Sequence, residues 1–226
     1  MPKRKELLVN GEIYHVYNRS VSNLEIFSAK REFSRAFELL NFYRFEQLLK
    51  FSKFKTLSSK NKNNYLEQIK KGGPMTEIYS YALMPDHYHL LLKQLKDDGI
   101  KKFISNFQNG FAKYFNIKNE NRGSIFINPF KAKRVTSDEI LLHVSRYIHL
   151  NPSTSYLIEF EDLKNSPRTS FPYYLEERKN DFITSEFILS LFGKSDKRNN
   201  YFNFVTNQAD YQRKLRLIKN FLLENI

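Results

Sequence analysis

The 226-residue chain has no cysteine, which excludes a disulfide framework and the cysteine-rich, closed coordination of a structural zinc site. No run approaches the ~20 apolar residues that a bilayer span requires. The charged start Met1-Pro2-Lys3-Arg4-Lys5-Glu6 has no apolar stretch behind it of the kind that marks a secretory signal, so a cytoplasmic location is expected. No internal repeat is visible. Acidic residues are in deficit: 24 Asp and Glu stand against 37 Lys and Arg, a formal net charge of +13. With 41% hydrophobic and 15% aromatic residues the chain has ample material for a packed core, and the surplus charge points to a polyanionic partner, nucleic acid first.

The most informative stretch runs from Tyr79 to Lys93, Tyr-Ser-Tyr-Ala-Leu-Met-Pro-Asp-His-Tyr-His-Leu-Leu-Leu-Lys. It reads as two strands joined by a tight Pro85-Asp86 turn, since Pro fixes φ and Asp can hydrogen-bond its own turn. Side chains alternate across a strand, so His87, His89 and Leu91 share one face and Tyr88, Leu90 and Leu92 the other. A His-apolar-His strand is by itself compatible with two histidines on a half-solvated sheet face. A second segment gives the pair chemical meaning.

Residues 136–151 read as a helix opened by a capping box, Thr136 with Glu139, and closed by Pro152. Ile140, Val144 and Ile148 form its expected apolar stripe, and Tyr147 and Asn151, four apart, lie within that face. A phenol and an amide thus point inward where a plain core helix would carry Leu. His87, His89 and Asn151 together suit a divalent ion with positions left open for a phosphate oxygen, and imidazole with carbonyl donors favours Mg²⁺ or Mn²⁺. Tyr147 would stand beside it as nucleophile.

Pro85-Asp86-His87-Tyr88-His89-Leu90-Leu91, Phe130-Lys131-Ala132-Lys133-Arg134-Val135 and Arg146-Tyr147-Ile148-His149-Leu150-Asn151-Pro152 together resemble the single-tyrosine HUH transposases of bacterial insertion sequences, and more closely the REP-associated tyrosine transposases. The resemblance covers roughly residues 9–152. It implies a ferredoxin-like core, a metal-binding pair in His87 and His89, a catalytic Tyr147, and Asn151 in place of the helix amide that completes the metal site. It further implies single-stranded DNA with an imperfect hairpin as partner, a nucleoid-associated setting and a chain that can form a homodimer. Ser153-Thr154-Ser155-Tyr156, after the motif, lacks the basic residue often found there.

Earlier in the chain, Glu12 to Arg19 alternates as a strand, with Arg19 a candidate phosphate contact. A helix is expected from Ser28 to about Lys50, with Phe33, Phe37, Leu40 and Phe45 among its apolar positions. Residues 51–74 are lysine-rich and read as a basic insertion, either a surface extension or a short helix around Tyr65 to Lys71. Ile100 to Ile117 is a helix carrying Phe103, Phe107, Phe111 and Phe115. Tyr114 on it is the rival nucleophile, but the position four residues on is Lys118, not an amide, so packing or base stacking is its expected role. Lys131, Lys133 and Arg134 are placed to meet backbone phosphates.

These elements predict an α+β fold, an antiparallel ferredoxin-like sheet with helices mainly on one face. Residues 1–155 would form the catalytic domain and 156–226 a mostly helical extension, with a helix at Ser185 to Phe192 and another near Gln212 to Leu223. The expected chemistry is cleavage and rejoining of single-stranded DNA through a 5′-phosphotyrosine. A free phenol titrates near ~10, so the metal or neighbouring cations must assist its deprotonation. A replication initiator of the same chemistry, or a non-catalytic nucleic-acid-binding protein with structural histidines, are the alternative readings.

Overall fold

Four strands, β1 (Ile13–Arg19), β2 (Thr76–Leu83), β3 (His87–Gln94) and β4 (Lys131–Val135), form one antiparallel sheet in the order β2-β3-β1-β4. Between and after them run the helices α1 (Lys30–Tyr43), α2 (Phe51–Lys55), α3 (Ser59–Lys71), α4 (Gly99–Lys118), α5 (Asp138–Thr154), α6 (Phe171–Leu175), α7 (Glu186–Ser190) and α8 (Lys197–Thr206). The computed structural model describes residues 6–176 and 182–207; the helix expected near Gln212 to Leu223 and the basic first residues lie outside them. The α+β class follows the sequence pattern. No helix among the described residues is long and apolar enough to cross a membrane.

The strand β3 departs from simple alternation. Tyr88 through Leu92 are all buried, whereas a half-solvated strand would expose every second residue. The run Leu90-Leu91-Leu92 is the sequence counterpart of a strand covered on both faces.

Two compact units emerge from the packing. The first takes in the chain to Glu77, Pro85–His87 and Leu92–Arg134; the second takes in Ile78–Met84, Tyr88–Leu91 and the chain from Val135 onward. In the first unit α1 packs on α4. Ile100, Phe103, Ile104, Phe107, Phe111 and Phe115 recur at three- and four-residue intervals on α4 and are all buried, the spacing that builds an apolar stripe. Gly110 permits a close approach of the two helices: a Cβ there would lie 3.2 Å from the Tyr43 ring and 3.3 Å from Leu39.

The buried face of α1 differs from the expected stripe. Ala36, Leu39, Leu40, Phe42 and Tyr43 are buried, while Phe33 and Phe37 are only half-buried, because the face turned to α4 runs through Leu39 and Tyr43. The basic insertion is two ordered helices, α2 and α3. Phe42 gathers Phe54 (ring centroids 4.9 Å apart) and Phe51 (5.1 Å), and Tyr65 closes the cluster 5.6 Å from Phe54. The Tyr65 hydroxyl accepts the N–H groups of Leu48 and Leu49, both at 3.0 Å. Its aromatics fold inward and Lys53, Lys55, Lys60, Lys70 and Lys71 are left exposed.

In the second unit α8 packs against α5, α6 and α7. Burial of Phe171, Tyr174, Ile188, Leu189, Tyr201 and Val205 explains why residues beyond 160, polar on average, fold into short helices.

Candidate active site

In the first unit the Pro85-Asp86 turn is anchored by its own carbonyls. Pro85 O accepts the N–H of Ile26 (2.7 Å) and of Phe27 (2.9 Å), and Asp86 O accepts that of Ser20 (2.8 Å). The Asp86 carboxylate meets His87 Nδ1 at 2.5 Å and Arg19 Nε at 3.4 Å. Burial alone would raise the Asp86 pKa, but the hydrogen bond with His87 and the cationic neighbours outweigh it and hold this group below the usual carboxylate range. A carboxylate on Nδ1 is the arrangement that orients a metal-ligating imidazole and leaves Nε2 as the nitrogen able to reach an ion. The sequence marked Asp86 as a turn residue; the structure adds its hydrogen bond with the His87 ring.

In the second unit, β3 carries His89, 6% exposed, and α5 carries Tyr147 and Asn151. The Tyr147 ring stands edge-on to the His89 ring, with centroids 5.4 Å apart and planes at 84°. Asn151 is buried, 5% exposed, and its side-chain oxygen accepts a hydrogen bond from Ser155 Oγ at 3.4 Å. Strand and helix thus bring the histidine and the tyrosine together as expected from sequence.

The helix differs in detail from its expected form. Ser137, not Thr136, is the N-cap, its hydroxyl accepting the Ile140 N–H, and Pro152 lies inside the helix rather than ending it. Ile140 is exposed and Val144 half-buried; the buried face runs through Leu141, Ser145, Ile148, His149 and Pro152. The face that packs against α8 is the one through Ser145 and His149, which leaves Ile140 and Val144 toward its edge.

That buried face carries a polar network that sequence reasoning missed. His149 is fully buried, with Nδ1 2.7 Å from the Tyr201 hydroxyl and Nε2 2.7 Å from Ser170 Oγ. Tyr201 also meets Ser145 Oγ at 2.6 Å, and Ser145 meets Ser80 Oγ at 3.1 Å. Tyr174 donates to Tyr79 O at 2.9 Å. The available signal was Ser145 and His149, two polar residues four apart on a face otherwise apolar. Burial pushes the His149 pKa down to about 3, so its imidazole is neutral, and it raises the phenols of Tyr81, Tyr174 and Tyr201 above their ordinary value.

These phenols give a pH dependence with a definite sign. A raised native pKa means that the unfolded chain loses its tyrosine protons first, so the stability held below about pH 10 is lost as pH rises from there through the folded-state values. Each such phenol contributes a slope of roughly 1.4 kcal/mol per pH unit. Urea midpoints are therefore expected to fall steeply as pH rises above about 10; flat midpoints there would show the phenols ionising within the folded chain.

Of the cationic candidates, Arg19 pairs with Asp86 and Arg134 pairs with Glu12 through Nη2 (2.5 Å) and Nε (2.9 Å). Lys131 and Lys133 are exposed on β4. Tyr114 lies under the Arg35 guanidinium, 4.8 Å from its ring centroid, and against Phe111, which accords with packing. Among the described residues no group of three or more His, Asp or Glu gathers where a metal could sit.

A family model described as Transposase IS200 like matches residues 52–151. Among solved structures, one titled as a REP-associated tyrosine transposase bound to a REP hairpin is similar at 14% identity, covering 76% of this chain and 84% of that one with a TM-score of 0.52. A crystal structure from Deinococcus radiodurans covers 66% of this chain and 95% of that one at 13% identity, with a TM-score of 0.36. No curated relative matches the chain.

Proposed function

We propose that the chain, whose residues 52–151 match the family model described as Transposase IS200 like, cleaves and rejoins single-stranded DNA beside a hairpin through a 5′-phosphotyrosine on Tyr147. The observation that carries this reading is the edge-on placement of Tyr147 against His89, on a helix that brings Asn151 one turn further along the same side.

Tyr147 Oη attacks the scissile phosphorus and gives up its proton to solvent. The new O–P bond holds the 5′ side of the break, and the leaving 3′ oxygen takes a proton to become a 3′-hydroxyl. The reverse attack by a 3′-hydroxyl restores a phosphodiester without ATP. His87, His89 and Asn151 would hold Mg²⁺ or Mn²⁺, which when bound supplies polarisation of a non-bridging phosphate oxygen. Asp86 keeps the His87 ring oriented. Lys131 and Lys133, exposed and basic, are the proposed backbone-phosphate contacts, and Arg19 and Arg134 join them only if DNA displaces Asp86 and Glu12.

The test incubates the protein with labelled hairpin DNA from the flanks of its gene, with Mn²⁺ or with chelator, and resolves it on a denaturing gel. A covalent adduct that requires the ion and is lost in His87→Ala is expected. Tight hairpin binding without any adduct would sink the enzyme reading and leave a nucleic-acid-binding protein.

A further inference from the structure

We propose that His149, held between Tyr201 and Ser170, is a positioning residue that fixes the rotation of α5 and thereby aims Tyr147, with the segment after residue 155 acting as the brace. The inference rests on the role proposed for Tyr147 and adds to it the residues that hold that side chain in place.

Ser145 and His149 sit two residues to either side of Tyr147. At about 100° per residue each side chain points roughly 200° around the helix from the phenol, so both mark the face opposite the nucleophile. That face is tied down twice. Ser145 meets Ser80 of β2, and His149 meets Ser170, whose hydroxyl accepts the Tyr81 N–H at 2.8 Å. The Tyr201 hydroxyl of α8 bridges the two, contacting both Ser145 and His149. The closed circuit therefore runs from adjacent residues of β2 through α5, α8 and the lead-in to α6.

Rings fill the space around it. The His149 ring is 4.7 Å from that of Tyr174 and 5.5 Å from that of Phe171, and Tyr174 stacks on Tyr201 at 4.6 Å. A helix gripped by packing alone can slide among neighbouring rotational settings. Directional bonds at both ends of one turn allow only one.

Proton counting gives the circuit a polarity. Tyr174 has one hydroxyl proton and gives it to Tyr79 O, so at its 3.5 Å contact with Ser80 it is the acceptor. Ser80 then donates to Tyr174 and accepts from Ser145, Ser145 accepts from Tyr201, and Tyr201 accepts from His149 Nδ1–H. The Nε2 lone pair is left to accept the Ser170 hydroxyl, whose single proton has a shorter acceptor there, at 2.7 Å, than at Tyr81 O, at 3.5 Å. The brace thus selects the Nδ1–H tautomer of a neutral imidazole, the less common form of a free histidine in water.

The experiment uses the full chain with 3-fluorotyrosine at position 147 alone, in wild type and in Tyr201→Phe, which keeps the ring and removes the bridging oxygen. ¹⁹F NMR reads the surroundings of Tyr147, ¹⁵N NMR the His149 tautomer, and single-turnover adduct formation with hairpin DNA and Mn²⁺ the chemistry. In Tyr201→Phe the fluorine line is expected to shift or split and the adduct rate to fall about tenfold to a hundredfold, with hairpin affinity within about twofold. His149→Gln, which can still donate and accept, is expected to recover more of the rate than His149→Phe. An unchanged fluorine line with an adduct rate within about twofold of wild type overturns the brace, as does an Nε2–H tautomer in the wild type. If Tyr201→Phe does not fold, Ser145→Ala breaks the same circuit and is judged by the same two outcomes. A fluorine line that moves while even the wild type forms no adduct leaves the brace standing and removes the transferase reading.

Discussion

Tyr147→Phe is expected to remain folded, to bind hairpin DNA with unchanged affinity, and to form no covalent adduct, a loss of at least about 10³-fold in single-turnover rate. The side chain is only half-buried and its ring contact with His89 is edge-on, so removal of one oxygen leaves the packing in place. Thermal melting within about 1 °C of wild type would show that the loss is chemical. Tyr114→Phe is the matched control, because its ring lies beneath the Arg35 guanidinium on α4. It should keep the adduct at the wild-type rate. An adduct that survives Tyr147→Phe but disappears in Tyr114→Phe would transfer the nucleophile to α4 and undo the reading of α5.

What sequence could show here depended on whether a residue's role is local. The His-Tyr-His strand and the four-residue spacing of Tyr147 and Asn151 are set by backbone periodicity, and both elements formed, although β3 is buried on both faces and α5 starts at a different cap and runs past Pro152. Aromatic positions on α4 were equally legible, because a stripe at three- and four-residue intervals has one structural outcome. The N-cap was not, since Thr136 and Ser137 are equally competent and only the approach of the chain chooses between them. Nor were the ion pairs of Arg19 with Asp86 and Arg134 with Glu12, which join residues 67 and 122 positions apart. His149 shows the limit most directly. It stood inside a motif already in view, yet its partners Ser170 and Tyr201 lie 21 and 52 residues further along the chain. Nothing local distinguishes a histidine that binds a ligand from one that braces a helix.

The same separation of local and distant causes governs the turn that carries His87. Its carbonyls are held by the N–H groups of Ile26 and Phe27, and the Phe27 ring rests on Phe111 of α4 at 4.8 Å. Phe111 is fully buried, with Phe126 at 6.0 Å and Phe115 at 6.1 Å, so it joins α4 to the segment on which the turn is hung. Phe111→Ala is accordingly expected to cost about 3–5 kcal/mol, the usual range for a phenylalanine truncated in a core. For a chain of this length that corresponds to a fall in Tm on the order of 10 °C. Because the new cavity would lie directly under Phe27, the loss should not be spread evenly. Amide exchange at Ile26 and Phe27, whose N–H groups reach Pro85 O, should accelerate more than exchange within β3 itself. A loss under about 1 kcal/mol, or uniform acceleration across the first unit, would mean that the turn is held by its hydrogen bonds alone. In that case the aromatic cluster of α4 would have no part in placing His87.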